Sequence, residues 1–429
     1  MRYVHQFSLN FNQNFNDFGA FDELIAIFEQ MDDEELIQKL ERKRRNGRNE
    51  WPVIAMWRGL IAKTYYKHRS TSDFIKELDR NPRLTEICGF KPRKINGVTR
   101  RAPSTAAYTR FMKNLQKEGC CLEEEFEKST ERCYEELPGF GKGLMADGKA
   151  IQSYAHKNTS KTGHVDGRSE TDGEVCTKKY YGMVNNVRQI VAIKKWFGFR
   201  AHIIAEAHYE LPIYVDVLKA AESEQKELRH QLQEIKKKHP EWLEQAEYLL
   251  ADKGYDSLET IEQLESYGVH PIIDIRCMRK DGEKTKQYRD TNLAYDYKGR
   301  VVYYPENPKE KEIDLRFMGY DPLNNAHRYG YTHNGKTKVF RIKCSENPRI
   351  FTRIARTSLK WKRLYAKRSG IERINGRLDR DYGFENHYIR GLKKMKMYVL
   401  LSCMVMQAKA LAKYRLSQRE LYPPTAMAA

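Results

Sequence analysis

Three carboxylates in this chain lie in sequence contexts that are typical of catalytic or metal-binding acidic residues. Asp252 ends the apolar run 248–251 and Asp147 ends the run 144–146, and a glycine follows each of them within two residues. This pattern predicts buried strands that deliver acidic groups to the edge of a sheet. The third carboxylate, Glu372, lies in a strongly basic segment with helical spacing.

Three carboxylates from separate elements are a ligand set for divalent metal ions. An anionic phosphodiester repels a nucleophile, and two Mg²⁺ ions about 3.5–4 Å apart overcome this by activating the attacking oxygen and stabilising the leaving one. Mg²⁺ prefers hard oxygen ligands and accepts only a few carboxylates. The sequence therefore predicts a site for two Mg²⁺ or Mn²⁺ ions, in which Asp147 bridges both ions while Asp252 and Glu372 each hold mainly one.

Each carboxylate also has a plain structural alternative. Asp147 could simply belong to a turn, since Gly148 follows it. Asp252 competes with Asp256, which could equally cap the helix that begins near residue 257. Glu372 could form only helical salt bridges with the arginines around it.

The charge of the chain indicates a polyanionic partner. Its 429 residues include 77 Lys and Arg against 58 Asp and Glu, which gives a net charge of +19. Such a surface attracts phosphate backbones, and its binding should weaken steeply as salt rises. Charge alone leaves open a basic protein that adheres to ribosomes or to a membrane surface.

Cysteine spacing and apolar runs bear on the compartment. The eight cysteines show no CxxC pairing, which favours reduced thiols over a zinc framework or a disulfide scaffold. The N-terminus is polar, without the apolar core of a signal peptide. The best apolar run, residues 397–406, is about half as long as a membrane span. We therefore expect a cytoplasmic protein with no membrane segment.

Hydrophobic periodicity divides the chain into parts of different character. The predicted parts are an all-α N-terminal domain at 1–138, an α/β domain at 139–278 and 351–415, a β-rich insertion at 279–350 and a disordered tail at 416–429. Within the α/β domain we expect strands at 143–150 and 247–251 and a charged helix at 220–241.

The N-terminal domain has features of a DNA-binding module. Two short helices joined by a turn, each flanked by cations, are typical of a helix-turn-helix arrangement. We expect Arg93, Arg100 and Arg101, which lie in a basic loop, to contact DNA. A helical bundle whose cations only solvate it is the alternative.

Several motifs resemble those of the bacterial insertion-sequence transposases of the DDE type. Asp147-Gly148 and the segments 197–202 and 251–257 match the catalytic domain, and residues 57–90 resemble the helical domain before it. The C-terminal signature of this family is Tyr, two residues, Arg, three residues, Glu, six residues, Lys. Its first three members fall on Tyr365, Arg368 and Glu372 at the required spacing.

This resemblance implies a fold and an activity. The expected fold is α/β, with a ribonuclease H-like catalytic core that contains a β-rich insertion and follows an all-α N-terminal domain. Such enzymes bind inverted repeats at element ends on double-stranded DNA, hydrolyse the 3′ bonds and join the freed 3′-OH to target DNA. Because two ends are paired, a homodimer on DNA is expected.

The resemblance also suggests roles for particular side chains. Glu372 becomes the third metal ligand, Arg368 the partner of a DNA phosphate, and Tyr365 a contact to the transposon end. Arg200 and His202 are expected near the site, on the strand between the two aspartates. A structural histidine remains the alternative for His202.

One position departs from the family signature. Its lysine is replaced by Asp379, and the nearby Arg377 could make the phosphate contact instead. Two other functions therefore stay open: a nuclease of the same fold that cuts without joining, and a catalytically inactive DNA-binding derivative of a transposase.

Overall fold

The computed structural model describes residues 21–44, 51–95, 97–117, 119–157, 169–184, 187–277, 285–306, 311–333 and 335–421. Within these ranges the protein is a mixed α/β structure in which helices precede and follow two large sheets. The mixed α/β class expected from the sequence is therefore confirmed.

Helices make up most of the described chain before residue 138. They are α1 (Asp22–Glu29), α2 (Glu34–Arg42), α3 (Val53–Tyr65), α4 (Thr71–Arg80), α5 (Pro82–Ile87), α6 (Thr105–Lys117) and α7 (Gly119–Glu136). Side-chain caps fix two helix starts, because Ser70 accepts the N–H of Asp73 and Asn81 accepts that of Leu84. The segment between α5 and α6, expected as a basic loop, contains an antiparallel ribbon of β1 (Arg93–Ile95) and β2 (Val98–Arg100).

A mixed sheet forms the centre of the protein. Its strands are β3 (Gly143–Gln152), β4 (Glu174–Val184), β5 (Val187–Glu206), β6 (Pro212–Lys219), β7 (Tyr248–Ala251) and β8 (His270–Ile273). The order is β4-β5-β3-β7-β8, and β6 also pairs with β5. β5 is antiparallel to β3, β4 and β6, whereas β7 runs parallel to β3 and β8. The strands predicted at 143–150 and 247–251 are confirmed as β3 and β7.

Helices cover both faces of this central sheet. They are α8 (Glu224–Lys238), α9 (Pro240–Glu244), α10 (Leu258–Ser266), α11 (Leu359–Ala366), α12 (Ser369–Arg380) and α13 (Leu392–Leu421). α8 confirms the charged helix predicted at 220–241, and Ser223 caps its start. Successive strand residues point to opposite faces, so Asp147 faces α12 while Gly148 faces α8.

The last helix joins the N-terminal helices to the central sheet. α13 packs against α1, α3, α7 and β6, and one apolar core extends through all of them. Residues 392–418 are long and apolar enough to cross a membrane, but 78% of the apolar 18-residue window within them is buried inside the protein. The sequence predicts disorder from residue 416 onward, but α13 extends to Leu421, so residues 416–421 are helical. The rest of the predicted tail, 422–429, lies outside the described residues.

A second sheet forms from the segment predicted as an insertion. Its strands are β9 (Thr285–Gln287), β10 (Leu293–Asp296), β11 (Val301–Tyr303), β12 (Ile313–Asp321), β13 (Ala326–His333) and β14 (Lys336–Lys343). They pair in chain order as an antiparallel meander with an apolar core of its own. The β-rich character predicted for 279–350 is therefore present, while the domain boundaries stay a prediction.

Candidate active site

Asp147 and Asp252 lie side by side on neighbouring parallel strands. The register pairs Ala146 of β3 with Ala251 of β7, so each aspartate is the next residue along its chain. Neighbouring strands are about 4.8 Å apart, and the two carboxylates therefore leave the sheet at one place. Asp252 Oδ1 also accepts the N–H of Gly254 at 2.6 Å, which holds the side chain against the turn after β7.

The surroundings of Asp147 concentrate negative charge. Its carboxylate is half-buried, and Asn375 Nδ2 donates to Asp147 Oδ2 at 2.8 Å. Burial raises the pKa of Asp147, and the charge of Asp252 raises it further against the opposing effects of Arg368 and Asn375. A cation bound between the two aspartates would relieve this repulsion.

α12 places a row of polar side chains beside this pair. Positions 368, 372, 375 and 379 recur every three or four residues and share one helix face. Asn375 on this face bonds to Asp147, and Asp379 one turn later pairs with Lys149 of β3, with 2.6 Å between Nζ and Oδ1. This face of α12 therefore docks directly onto the strand that carries Asp147.

Glu372 lies on the same face of α12 but does not reach the aspartate pair. Its side chain is 58% exposed and forms an ion pair with Arg368, with 2.5 Å between Oε1 and Nη2. Within the residues that the structure describes, no group of three His, Cys, Asp or Glu side chains stands close enough to hold a metal ion. The structure thus brings Asp147 and Asp252 together and leaves Glu372 paired with Arg368 on the neighbouring face of α12.

The other two signature residues do lie beside the carboxylate pair. Tyr365 stacks on Trp361 with 4.6 Å between ring centroids, and the Arg368 guanidinium lies 5.8 Å from the Tyr365 ring centroid. Burial lowers the pKa of Arg368, but its bond to Glu372 and nearby charges that include Asp147 raise it above its usual value. Arg368 therefore contacts Tyr365 and Glu372 and is stabilised in its charged form by Asp147.

The structure places Arg200 and His202 on the opposite face of the sheet, toward α8. Arg200 is buried and pairs with Glu224, with 3.0 Å between Nη1 and Oε1. His202 is 2% exposed, and burial together with the charge of Arg200 lowers its pKa to about 3. Neither side chain is open to DNA in this structure, because the register of β5 against β3 turns both away from Asp147.

The remaining predicted DNA contacts fall in two places. Arg377 lies on the far side of α12 from Asp147 and donates to the backbone oxygen of Glu210. Arg93, Arg100 and Arg101 are exposed at the ribbon β1–β2, where Arg93 lies directly opposite Arg100. The ribbon arginines are thus accessible to a partner, and Arg377 is engaged within the protein.

Three side chains near the site were not predicted from the sequence. The sequence could have indicated two of them, because Asn375 shares a helix face with Glu372 and Lys149 shares a strand face with Asp147. Glu224 gave no such signal, because only the fold brings the start of α8 beside Gly148 and Gly254. Burial raises the pKa of Glu224, and the charges of Asp252 and Asp147 raise it further while Arg200 lowers it.

Asp252 and Asp256, at the two ends of the loop after β7, have different surroundings. Ser257, and not an aspartate, caps α10, since its Oγ accepts the N–H of Thr260 at 3.2 Å. Asp256 is fully buried and paired with Arg349. Asp252 is therefore the carboxylate of this segment that faces the candidate site.

Comparison with known proteins gives the family. The family model described as "Transposase DDE domain" matches residues 185–407, and the one described as "Transposase domain (DUF772)" matches residues 15–112. The first match includes Asp252 and Glu372 but begins after Asp147. The chain belongs to the insertion-sequence transposases with a DDE domain, a family of transposition enzymes that generally use divalent metal ions.

Two solved structures show weaker similarity. One, "Cryo-EM structure of piggyBac transposase synaptic complex with hairpin DNA (SNHP)", shares 11% identity over 95% of this chain and 83% of that one, with a TM-score of 0.39. The other, "Crystal structure of a pre-cleavage Mos1 transpososome", shares 11% identity over 58% of this chain and 77% of that one, with a TM-score of 0.17. No curated protein sequence matches the chain.

Proposed function

We propose that this transposase binds the inverted repeats at the ends of its element, cleaves the DNA strands there and joins the freed ends to target DNA. The observation that carries the proposal is the in-register placement of Asp147 and Asp252 beside the face of α12 that bears Glu372. The order β6-β5-β3-β7-β8, with the first three strands antiparallel and the last two parallel to β3, supports a ribonuclease H-like core.

The residues at this edge fit divalent metal ions. Asp147 and Asp252 offer hard oxygen ligands side by side, and burial together with the charge of Asp252 raises the pKa of Asp147. These two would hold Mg²⁺ or Mn²⁺, and Glu372 would complete the set after leaving Arg368. Bound as a pair, such ions supply activation of the attacking oxygen and stabilisation of the leaving oxygen.

Other side chains serve to hold DNA. Once Glu372 turns toward the aspartates, the Arg368 guanidinium is released to pair with a phosphate, for which its planar fork is suited. Tyr365, half-buried beside Arg368, presents a ring to the transposon end. The exposed ribbon arginines Arg93, Arg100 and Arg101 supply phosphate contacts away from the site.

The assembly follows from the reaction. Joining two element ends requires two active sites, so we propose a homodimer on double-stranded DNA. The net charge of +19 favours binding of both the transposon ends and the target. The cysteines whose side chains the structure describes, 88, 133, 176, 277, 344 and 403, are free thiols, in keeping with work in the cytoplasm.

Cleavage of an oligonucleotide duplex that carries the inverted repeat tests the proposal. Asp147→Asn should abolish Mg²⁺-dependent cleavage and leave DNA affinity nearly unchanged. Asp79→Asn, at an exposed position on α4, is the matched control and should cleave like the wild type. Equal cleavage by Asp147→Asn and the control would reject the ligand role.

One specific observation keeps a second function in view. Asp379 stands where the family signature has lysine, which supports a catalytically inactive derivative that binds element ends without cutting them. Titration with Mn²⁺ separates the two, because an inactive site should bind the ion poorly. A strand-transfer assay with a precleaved end separates a transposase from a nuclease that only cuts.

A further inference from the structure

Four residues after Asp252, the chain buries a second carboxylate with a complete set of partners. Asp256 is 0% exposed and is held by both arms of Arg349, at 2.9 Å from Nε to Oδ1 and 2.5 Å from Nη2 to Oδ2. The backbone N–H of Arg276 also donates to Asp256 Oδ2, at 2.7 Å. This carboxylate is therefore turned into the protein and fully occupied.

The partners of Asp256 come from the two ends of the β-rich insertion. Arg276 lies just before the insertion and Arg349 at its end, and Arg349 Nη2 donates to the backbone oxygen of Arg276 at 2.5 Å. Arg276 Nη2 in turn donates to the backbone oxygen of Asp256 at 2.7 Å. Arg356 adds bonds to the backbone oxygens of Ile273 and Arg349, at 3.1 and 2.8 Å. Both ends of the insertion thus meet at one carboxylate.

The same short loop is held from its other side by α8. Gln225 Nε2 donates to the backbone oxygens of Gly254 and Asp256, at 2.9 and 3.2 Å. Asp252 itself lies outside β7, so its orientation depends on this loop and not on the strand ladder. The loop 252–256 is therefore clamped between α8 and the ends of the insertion.

Stability alone does not explain a buried fork of this kind. Taking a carboxylate and a guanidinium out of water is unfavourable, and apolar side chains of the same volume are often at least as stabilising. A fully satisfied buried pair does fix geometry, because its hydrogen bonds have only one good arrangement. The fork lies next to the loop whose geometry the proposed chemistry needs.

We propose that Asp256 is a positioning residue, which with Arg349 ties the loop that carries Asp252 to both ends of the insertion. This rests on the proposed function, since it assigns Asp256 the task of orienting Asp252 for the reaction. Loosening the fork should lower the rate of DNA cleavage while leaving the affinity for DNA almost unchanged.

The test replaces Arg349 by lysine in the full chain, which keeps the charge and removes the fork. Arg415→Lys is the matched control, because Arg415 holds Glu136 by the same two-bond geometry, at 2.7 and 2.5 Å, between α13 and α7. Cleavage kinetics on inverted-repeat DNA and amide hydrogen exchange of residues 252–257 are measured for both variants.

Arg349→Lys should lower kcat by about 10- to 100-fold, in line with the effect of small misplacements at reacting groups, with KM within about twofold of the wild type. Exchange of residues 252–257 should be faster in this variant only. Unchanged kcat and exchange, or equal changes in the Arg415→Lys control, would overturn the positioning role.

Two further measurements decide the question if Arg349→Lys does not fold or if the wild type cleaves no DNA. If Arg349→Lys does not fold, the double variant Asp256→Asn/Arg349→Gln replaces the ion pair by a neutral hydrogen-bonded pair and should show the same loss of rate and faster exchange. If the wild type cleaves no DNA, the proposed function fails, whereas the hydrogen-exchange comparison still decides whether Asp256 fixes the loop.

Discussion

Lys149 and Asp379 form an ion pair across the contact between β3 and α12, with 2.6 Å between Nζ and Oδ1. Lys149 follows Asp147 by two residues on the same strand face, and its side chain is only 6% exposed. Asp379 occupies the position of the lysine in the family signature. The positive charge at this contact thus comes from Lys149 on β3, whereas the family signature has a lysine on the helix, at the position of Asp379.

This pair predicts that restoring the signature lysine harms the protein. Asp379→Lys would bring two cations together and should destabilise the fold by roughly 2 kcal/mol, less than the loss of a fully buried partner, because Asp379 is 36% exposed. The swapped variant Lys149→Asp/Asp379→Lys should recover most of that loss. Urea unfolding measures both, and greater stability or faster cleavage in Asp379→Lys would reject the pairing as a requirement.

The space around Gly254 is too small for a side chain, because the Asp252 carboxylate lies next to it. A Cβ on Gly254 would lie 2.6 Å from Asp252 Oδ1 and 3.0 Å from Glu224 Oε2, so Gly254→Ala must displace the Asp252 carboxylate. Cleavage should fall on the order of 100-fold, with little change in DNA affinity. Gly376→Ala is the control, because its Cβ meets only the flexible end of Arg380 at 3.3 Å. Equal rates for the two variants would contradict the contact.

His202 predicts an acid-sensitive fold. Burial, with a further contribution from the charge of Arg200, lowers the pKa of His202 to about 3. The histidine therefore binds a proton near pH 6.5 in the unfolded chain but stays neutral at that pH in the folded protein. Stability from this group is complete above pH 6.5 and falls as the pH drops toward 3, by about 2 kcal/mol between pH 7 and pH 5.

Urea midpoints at pH 7 and pH 5 measure the contribution of His202. His202→Leu should lose about 2 kcal/mol less than the wild type between these pH values. His230→Leu, at a side chain that is 56% exposed on α8, should lose as much as the wild type. The assignment fails if the two variants show the same pH dependence.

The ribbon β1–β2 predicts a salt-dependent contact with DNA. Arg93 and Arg100 are exposed and directly opposite each other, an arrangement that repels unless an anion lies between them. Arg93→Gln/Arg100→Gln should lower the slope of log K against log salt by about 2, since each phosphate contact contributes roughly 0.9. Fluorescence anisotropy with duplex DNA measures the slope. The control is Lys237→Gln/Lys413→Gln, at exposed lysines on α8 and α13. If both double variants have the same slope, the ribbon does not contact DNA.

Local signals in the sequence were enough to locate the aspartate pair. Asp147 and Asp252 each follow a short apolar run that ends beside a glycine, and a short run with such an end favours a buried strand. The side chains around them depend on register and packing. His202 and Arg200 turned away from Asp147 because a strand shows each face to alternate residues, and only the pairing of β5 with β3 fixes which face.

Long-range pairing explains the other differences. The Lys149–Asp379 and Asp256–Arg349 ion pairs join residues that are distant in the chain, so neither helical nor strand periodicity could predict them. The ion pair of Glu372 with Arg368, in contrast, follows the i, i+4 spacing that was considered for it from the sequence.

The most direct measurement of the central claim concerns Glu372, which the structure shows beside the site but not in it. Initial rates of Mg²⁺-dependent cleavage of inverted-repeat DNA are compared for Glu372→Gln and for Glu385→Gln, at an exposed glutamate outside the site. The account predicts a loss of about 1000-fold for Glu372→Gln, equivalent to several kcal/mol of transition-state stabilisation, with unchanged DNA affinity. Wild-type rates in Glu372→Gln would contradict it.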